Sequence, residues 1–414
     1  MDLRNGTRPM KPMRKKSNSN RALFILLLIA FALALTACGK GSPEGETTTA
    51  APAETTAATE ESTAADRDKP LATVVFASDL QKEEGWGEPA DNLAAILRAI
   101  QADGKSPDGV VICGDYTNDR HLHDYQISPE DTIAQARKVI HENCPDVDEG
   151  AALFNQGNHD KLTESIAETG LHDCGEYLVY VLNTENDFPW KQGKERGCLD
   201  KVRQASEVMK ACFDQLIGKG EKRPVFIAGH VPLHYTARTS SRHTTGDNLY
   251  SSILYNVVNE AAKDLNIVFL FGHNHSKGWD CYLGGSSVYK GVGDKILIPQ
   301  FSENDRTTDR FTEETLNFTY LNAGYAGFYM NCGPEELEAG DLDKYRAADE
   351  TLTATVCEIW PDRMDLTRYS ADGVHPLGWA GEADPYKGGI DKGLIGEEYY
   401  SQKTESPQTI ALSR

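Results

Sequence analysis

Five short apolar runs of this 414-residue chain end in side chains that can hold a cation. Asp79 follows LATVVFAS, Asp115 follows GVVICG, and Asn158-His159-Asp160 follow AALFNQG. His230 follows PVFIAG, and His273 and His275 follow NIVFLFG. One such residue at the end of an apolar run is more often a turn former. Five in succession form a constellation. Imidazoles and carboxylates without a thiolate suit borderline divalent metals such as Zn, Mn or Fe. A carboxylate can bridge two cations, and an Asn oxygen ligates without adding charge. Two ions roughly 3.5–4 Å apart can clamp a phosphoryl group and activate a water. The mix therefore favours hydrolysis of a phosphate ester over proteolysis. No GxSxG is present, so a serine nucleophile is not called for.

These residues need elements that bring them together. β-rich runs are expected at Leu71–Asp79, Gly109–Asp115, Ala151–Asp160, Glu176–Leu182, Pro224–His230 and Asn266–His275. Between them, apolar residues at three- and four-residue spacing predict helices near 89–103, 129–142, 195–217 and 252–264. Beyond residue 296 strands dominate, as in Leu316–Asn322 and the pair 353–360 and 363–369. Alternation of this kind argues an α/β fold, in which ligands bind just past the carboxyl ends of the strands. No internal repeat or second linker is visible. One enlarged domain over 71–400, with a tail at 401–414, is the expectation.

The N-terminus reads as an address. Residues 1–37 carry seven bases against Asp2, so the −21 of the whole chain becomes −27 beyond them. The run ALFILLLIAFALALT, 22–36, is shorter than the roughly 20 residues of a membrane-spanning helix and follows positive charge. Leu35-Thr36-Ala37-Cys38 resembles the lipobox of bacterial lipoproteins, which implies a signal peptide at 1–37 and lipidation of Cys38. Residues 39–70 hold no Leu, Ile, Val, Met or aromatic side chain and cannot offset their ordering entropy. Residues 38–70 are thus expected to be a disordered Thr/Ala/Glu/Gly tether reaching about 30 Å. The expected location is the bacterial cell envelope, extracytoplasmic and attached through the lipid. So acidic a body repels phosphate chains, and general nucleic-acid binding is not expected. Eight further cysteines show no CxxC pairing, and their connectivity stays open.

The ordered set Asp79, Gly114-Asp115, GNHD at 157–160, Gly229-His230 and GHNH at 272–275 resembles the calcineurin-like metallophosphoesterase superfamily. The likeness runs from 71 to about 275, and Asn322-Ala323-Gly324 with the last strand pair resembles that family's closing sheet. It implies two packed mixed β-sheets flanked by helices and a cofactor of two divalent metal ions. Position by position it implies Asp79 and His275 at the first metal, Asp115 as the bridge, and Asn158, His230 and His273 at the second. His159 matches the histidine that sits by the substrate and protonates or stabilises the leaving oxygen. Asp160 is implied as a partner orienting a histidine. Two positions depart. The usual D-x-H is Asp79-Leu80-Gln81 here, and Gln81 can ligate weakly through its amide oxygen. Where GDxxDR members carry an aspartate that supports the histidine, this chain has Asn118, followed by Asp119.

Outside the motifs, His121 and His123 can replace the missing ligand or simply be exposed. His234 can line the pocket, and Arg238 and Arg242 form a basic island suited to phosphate. A solvated loop is the plainer reading of that island, and of Arg306 and Arg310. The aromatic-rich stretch 315–329 reads as core strand. The function implied is hydrolysis of a phosphomonoester or phosphodiester, with a phosphorylated small molecule or a phosphodiester as substrate. The alternative left open is a non-catalytic lipoprotein that binds metal or a phosphate ligand on the same fold.

Overall fold

Alternation along β1 (Ala72–Ala77) sets the layering. Val74 and Phe76 join one apolar cluster, while Val75 and Ala77 join another, because successive strand residues face opposite sides. The computed structural model describes residues 69–81, 89–117, 128–184, 187–188, 196–233, 250–273, 289–299, 311–327, 352–375 and 407–413. All of them fall within Ser62–Arg414.

In the first sheet, β1 lies between β2 (Gly109–Cys113) and β13 (Thr353–Ile359). β3 (Ala152–Asn155) flanks β2, and β14 (Arg363–Ser370) with β15 (Gly373–Val374) extends the other side. The second sheet runs β4 (Gly170–Asp173), β5 (Leu178–Val181), β6 (Val225–Ala228), β7 (Ile267–Phe271), β11 (Thr319–Asn322), β8 (Tyr289–Lys290). The central pairs β1–β2–β3 and β5–β6–β7–β11 are parallel, so their carboxyl ends point one way within each sheet. The outer pairs are antiparallel, which makes both sheets mixed.

Val74, Phe76 and Val111 of the first sheet pack on Val179, Phe226 and Val268 of the second. The Phe76 and Phe226 rings lie 4.8 Å apart across this layer. Helices α1 (Pro89–Ala102) and α2 (Pro129–Asn143) bury Leu93, Ile96, Ile133 and Ile140 against the other face of the first sheet. Helices α3 (Arg196–Lys219) and α4 (Ser251–Ala261) do the same for the second, through Met209, Phe213, Leu254 and Val258. α2 begins where Pro129 can no longer donate and Ser128 Oγ accepts from Glu130 N at 3.2 Å. The expected sandwich of two mixed sheets between helices is the observed architecture.

One detail of register positions the site. β13 pairs with β1 only as far as Thr355↔Phe76; its next two residues pair instead with β12, Gly324↔Ala354 and Tyr325↔Thr353 (Gly324–Tyr325). β12 thus takes the place that β1 would have continued into, and the chain after Ala77 must leave the sheet. A Cβ on Gly324, whose φ is 146°, would lie 2.2 Å from Thr353 O, so only glycine fits there. Beneath this junction the buried Arg368 guanidinium of β14 donates to Asn322 O at 2.8 Å, Asn322 Oδ1 at 3.1 Å and Thr355 Oγ1 at 3.0 Å, tying the two sheets. Burial lowers its pKa to about 9.

Several boundaries differ from expectation. β3 stops at Asn155, because 156–160 form a loop around the Asp160 carboxylate. β11 starts at Thr319, since β10 (Phe311–Thr315) pairs with β9 (Lys295–Pro299) in a separate hairpin. The segment read as a tail contributes β16 (Gln408–Ala411), paired with β14. Residues 1–68, with the signal-like segment, Cys38 and most of the tether, lie outside the described residues. Among the described residues no helix is long and apolar enough to cross a membrane.

Phe76→Ala should cost about 3–5 kcal/mol, because Phe76 is fully buried between the sheets. Equilibrium urea unfolding reads this directly.

Candidate metal centre

Among the described residues, the non-glycine positions with positive φ are Asp79 (57°), Gln81 (44°), Asp115 (59°) and His273 (64°). All four are candidate ligands. A left-handed backbone costs a non-glycine residue roughly 1–2 kcal/mol, so surrounding bonds must hold it there. Asp79 N donates to Gly114 O at 3.0 Å and Gln81 N to Asp115 O at 2.9 Å, lacing the loops after β1 and β2 together. Gly272 N donates to His230 O at 2.8 Å, lacing those after β6 and β7. The loops touch so closely that a Cβ on Gly157 would lie 2.1 Å from Asp115 Oδ1.

Asp115, His230 and His273 are buried, and each offers a ligand atom within 4.8 Å of the other two. His230 Nδ1 lies 2.6 Å from Cys113 O, which fixes that nitrogen as the donor and leaves Nε2 as the ligating atom. That Nε2 is 3.1 Å from Asn158 Oδ1 and 3.1 Å from Asp115 Oδ2. Imidazole, carboxamide and carboxylate thus converge, with the His273 ring 5.3 Å from that of His230. Burial opposes ionisation of Asp115, yet His230 and His159 beside it carry its carboxyl well below the usual range. Burial likewise opposes a charge on His230, but Asp115 and Asp79 raise its pKa to about 9.

Gln81 approaches the same Asp115 oxygen as His230. Its Nε2 is 3.4 Å from Asp115 Oδ2, and its buried Oε1 has no hydrogen-bond partner. An orphaned buried carbonyl oxygen beside a buried carboxylate is what a cation would satisfy. The Asp79 carboxylate accepts from Ser78 Oγ at 2.5 Å and from His273 N at 3.0 Å. The residues present fit divalent cations: anionic and neutral oxygens beside the tautomer-fixed His230 imidazole, buried except for the partly buried Asn158, with one oxygen unsatisfied.

The hydrogen-bond partners of the Asp160 side chain are backbone amides. Its carboxylate accepts from four backbone amides, Asp115 (2.8 Å), Tyr116 (2.8 Å), Gly157 (2.9 Å) and Thr117 (3.4 Å). The charge goes to peptide N–H groups because two turns with unpaired amides meet there. Burial and the neighbouring Asp115 charge push its pKa upward, against those amides. His159 is held through its backbone, N to Asp115 Oδ1 at 2.9 Å and O from Thr117 Oγ1 at 3.1 Å. Its Nε2 lies 3.9 Å from Asp115 Oδ2, and its side chain is 23% exposed, so a substrate can reach it.

The structure therefore brings together Asp79, Gln81, Asp115, Asn158, His159, His230 and His273. His275, His234, Arg238, Arg242, Asn118, Asp119, His121, His123, Arg306 and Arg310 lie outside the described residues. Sequence reasoning passed over Ser78 and Asn92. Asn92 donates to Ala326 O and Gly327 O, both at 3.3 Å, holding the segment that backs Asp79. Nothing in the residue pattern marks Asn92, whereas Ser78 adjoins a candidate ligand.

One family model, that of the calcineurin-like phosphoesterases, matches residues 72–277, the stretch holding all these motifs. Among solved structures the chain is similar to a dimetal phosphatase from Danio rerio, at 11% identity over 75% of this chain and 99% of that one, with TM-score 0.43. It is also similar to GAP50, the anchor in the inner membrane complex of Plasmodium, at 10% identity over 80% and 96%, with TM-score 0.39. A metallophosphoesterase from Sphaerobacter thermophilus aligns at 10% identity over 79% and 96%, with TM-score 0.22. No curated protein matches the chain.

Asp160→Asn should destabilise the fold by at least about 1–3 kcal/mol, since a carboxamide leaves buried amides unpaired. It should also weaken cation binding about 10–100-fold. Urea unfolding with and without Mn2+ measures both; unchanged curves would remove the clamp.

Proposed function

We propose that this chain hydrolyses a phosphate ester, monoester or diester, with two divalent cations (Mn, Fe or Zn) on the cell-envelope side of a bacterial membrane. The observation that carries the reading is the meeting of His230 Nε2, Asn158 Oδ1 and Asp115 Oδ2 within 3.1 Å contacts, with a solvent-reachable His159 beside them. Asp115, Asn158, His230 and His273 would hold one cation; Asp79, Gln81 and Asp115, with His275, would hold the other. When bound, such cations supply Lewis acidity and lower the pKa of water. The chain's own work is to fix these donors and exclude bulk water around buried carboxylates. His159 holds a proton at the rim, where a departing ester oxygen needs it. Arg238, Arg242 and His234 are proposed substrate contacts. The acidic body disfavours nucleic acid as the substrate.

Attachment through Cys38 and the tether of residues 39–70 is part of the same proposal. Among the described residues, the thiols of Cys113 and Cys357 are fully buried, with pKa values raised by burial. Cys38→Ser should release the protein from the membrane fraction after a high-salt wash, because lipid is the proposed stable attachment.

Chromogenic monoester and diester substrates, assayed with and without chelator, test the activity. Turnover abolished by chelator and restored by Mn2+ is expected; full cation occupancy without turnover on either would favour the binding-protein alternative. His159→Ala should keep the cations and lower kcat about 10²–10⁴-fold. The loss should be greatest for esters with basic leaving groups and smallest for nitrophenolate, which departs unaided. Loss of metal in that variant would make His159 a ligand instead.

A further inference from the structure

The side chain of Ser78 is fully buried and lies 2.5 Å from Asp79 Oδ2 and 2.9 Å from Cys113 O. A hydroxyl has one proton to give. Cys113 O already accepts from His230 Nδ1 at 2.6 Å, and Asp79 is the anion at the shorter distance, so the Ser78 proton belongs to Asp79. Asp79 Oδ2 also receives His273 N at 3.0 Å, against 3.2 Å for Oδ1. We propose that Ser78 is a positioning residue that orients the Asp79 carboxylate for the first cation, a role that rests on the metal-site reading above.

The surroundings are built for this contact. A Cβ at Gly272 would lie 1.7 Å from Ser78 Oγ and 2.6 Å from Asp79 Oδ2, so the end of β7 carries glycine where hydroxyl meets carboxylate. The Ser78 carbonyl accepts from Ala326 N at 3.0 Å, which fixes the backbone from which the hydroxyl projects. A carboxylate ligand that is itself hydrogen-bonded enters the coordination shell already oriented. Without the hydroxyl the Asp79 carboxylate loses the shortest of the bonds that orient it. Ser78 reaches the other site only at one remove, through His273 N on the same carboxylate and through Cys113 O, which His230 Nδ1 also contacts. The effect therefore falls chiefly on the first site.

The test is titration of the metal-free full chain with Mn2+, free ion being followed by electron paramagnetic resonance. Wild type should take up two ions. Ser78→Ala should weaken one of them about 10–100-fold and the other much less. At saturating Mn2+ kcat should be near that of wild type, with the activating concentration shifted upward. Equal weakening at both sites, or none, would overturn the assignment. If the alanine variant does not fold, Ser78→Cys keeps the volume with a weak donor and is read by the same criterion. Fewer than two ions on the wild-type chain would overturn the dinuclear reading itself, and shows before any variant is made.

Discussion

Three carboxylates, Asp79, Asp115 and Asp160, are buried at the seam between the two sheets. Isolated buried charge is among the most costly things a fold can contain, so each must be answered by donors or cations. Asp160 is answered by backbone amides and Asp79 by Ser78 and His273 N. Asp115 is different. Its Oδ2 is approached by His230 and Gln81, and these side chains are themselves ligand types. The left-handed backbones and the glycines that tolerate no Cβ follow from crowding these anions and their donors into one seam.

How the crowding arises is a matter of strand register. β13 divides its edge between β1 and β12, so Ser78 and Asp79 are turned out of the sheet at the level where the loop after β2 also begins. β7 ends at Phe271, paired with Asn322, and the residues that follow cross toward Ser78. The Asn322–Gly324 turn then serves both sheets: its Asn accepts from Arg368 and its Gly starts β12. Asn92 of α1 anchors the next stretch at Ala326 and Gly327, where a Cβ on Gly327 would lie 2.3 Å from Asp79 O. The packing that closes the fold is the packing that holds the first carboxylate.

Much of this was legible in the sequence, and for a physical reason. Parallel strands buried on both faces are continuous apolar runs, so GVVIC and IVFLF stand out, and a polar residue that ends such a run must sit at a strand end. The candidate ligands were readable in that way. The partners of Asp160 were not, because peptide amides carry no residue identity. Nor was the handover from β1 to β12, which joins residues some 250 positions apart in sequence. β4 was missed because Gly170–Asp173 is half-exposed and polar, with no apolar alternation to read. Ser78 was hidden in plain view; it looked like the polar end of a strand, and its role depends on Gly272, Cys113 and His273 from other strands.

The candidate ligands and the candidate acid are held by different means. Asp115, His230 and His273 are buried, with Asp115 Oδ1 accepting from His159 N and His230 Nδ1 donating to Cys113 O, and a donor that cannot move loses little entropy on binding a cation. His159 is fixed chiefly through its peptide, between Asp115 Oδ1 and Thr117 Oγ1, while its ring keeps 23% of its surface in solvent. A proton donor has to exchange with water between turnovers, and a buried, doubly bonded imidazole such as His230 would do so poorly. One loop, Asn158-His159-Asp160, therefore supplies three kinds of support from three adjacent residues. The Asn158 amide faces into the donor cluster, the His159 ring faces its rim, and the Asp160 carboxylate grips the backbone that holds the other two. A strand would send Asn158 and Asp160 to one face and His159 to the other, so three separate directions need the loop that follows the end of β3 at Asn155.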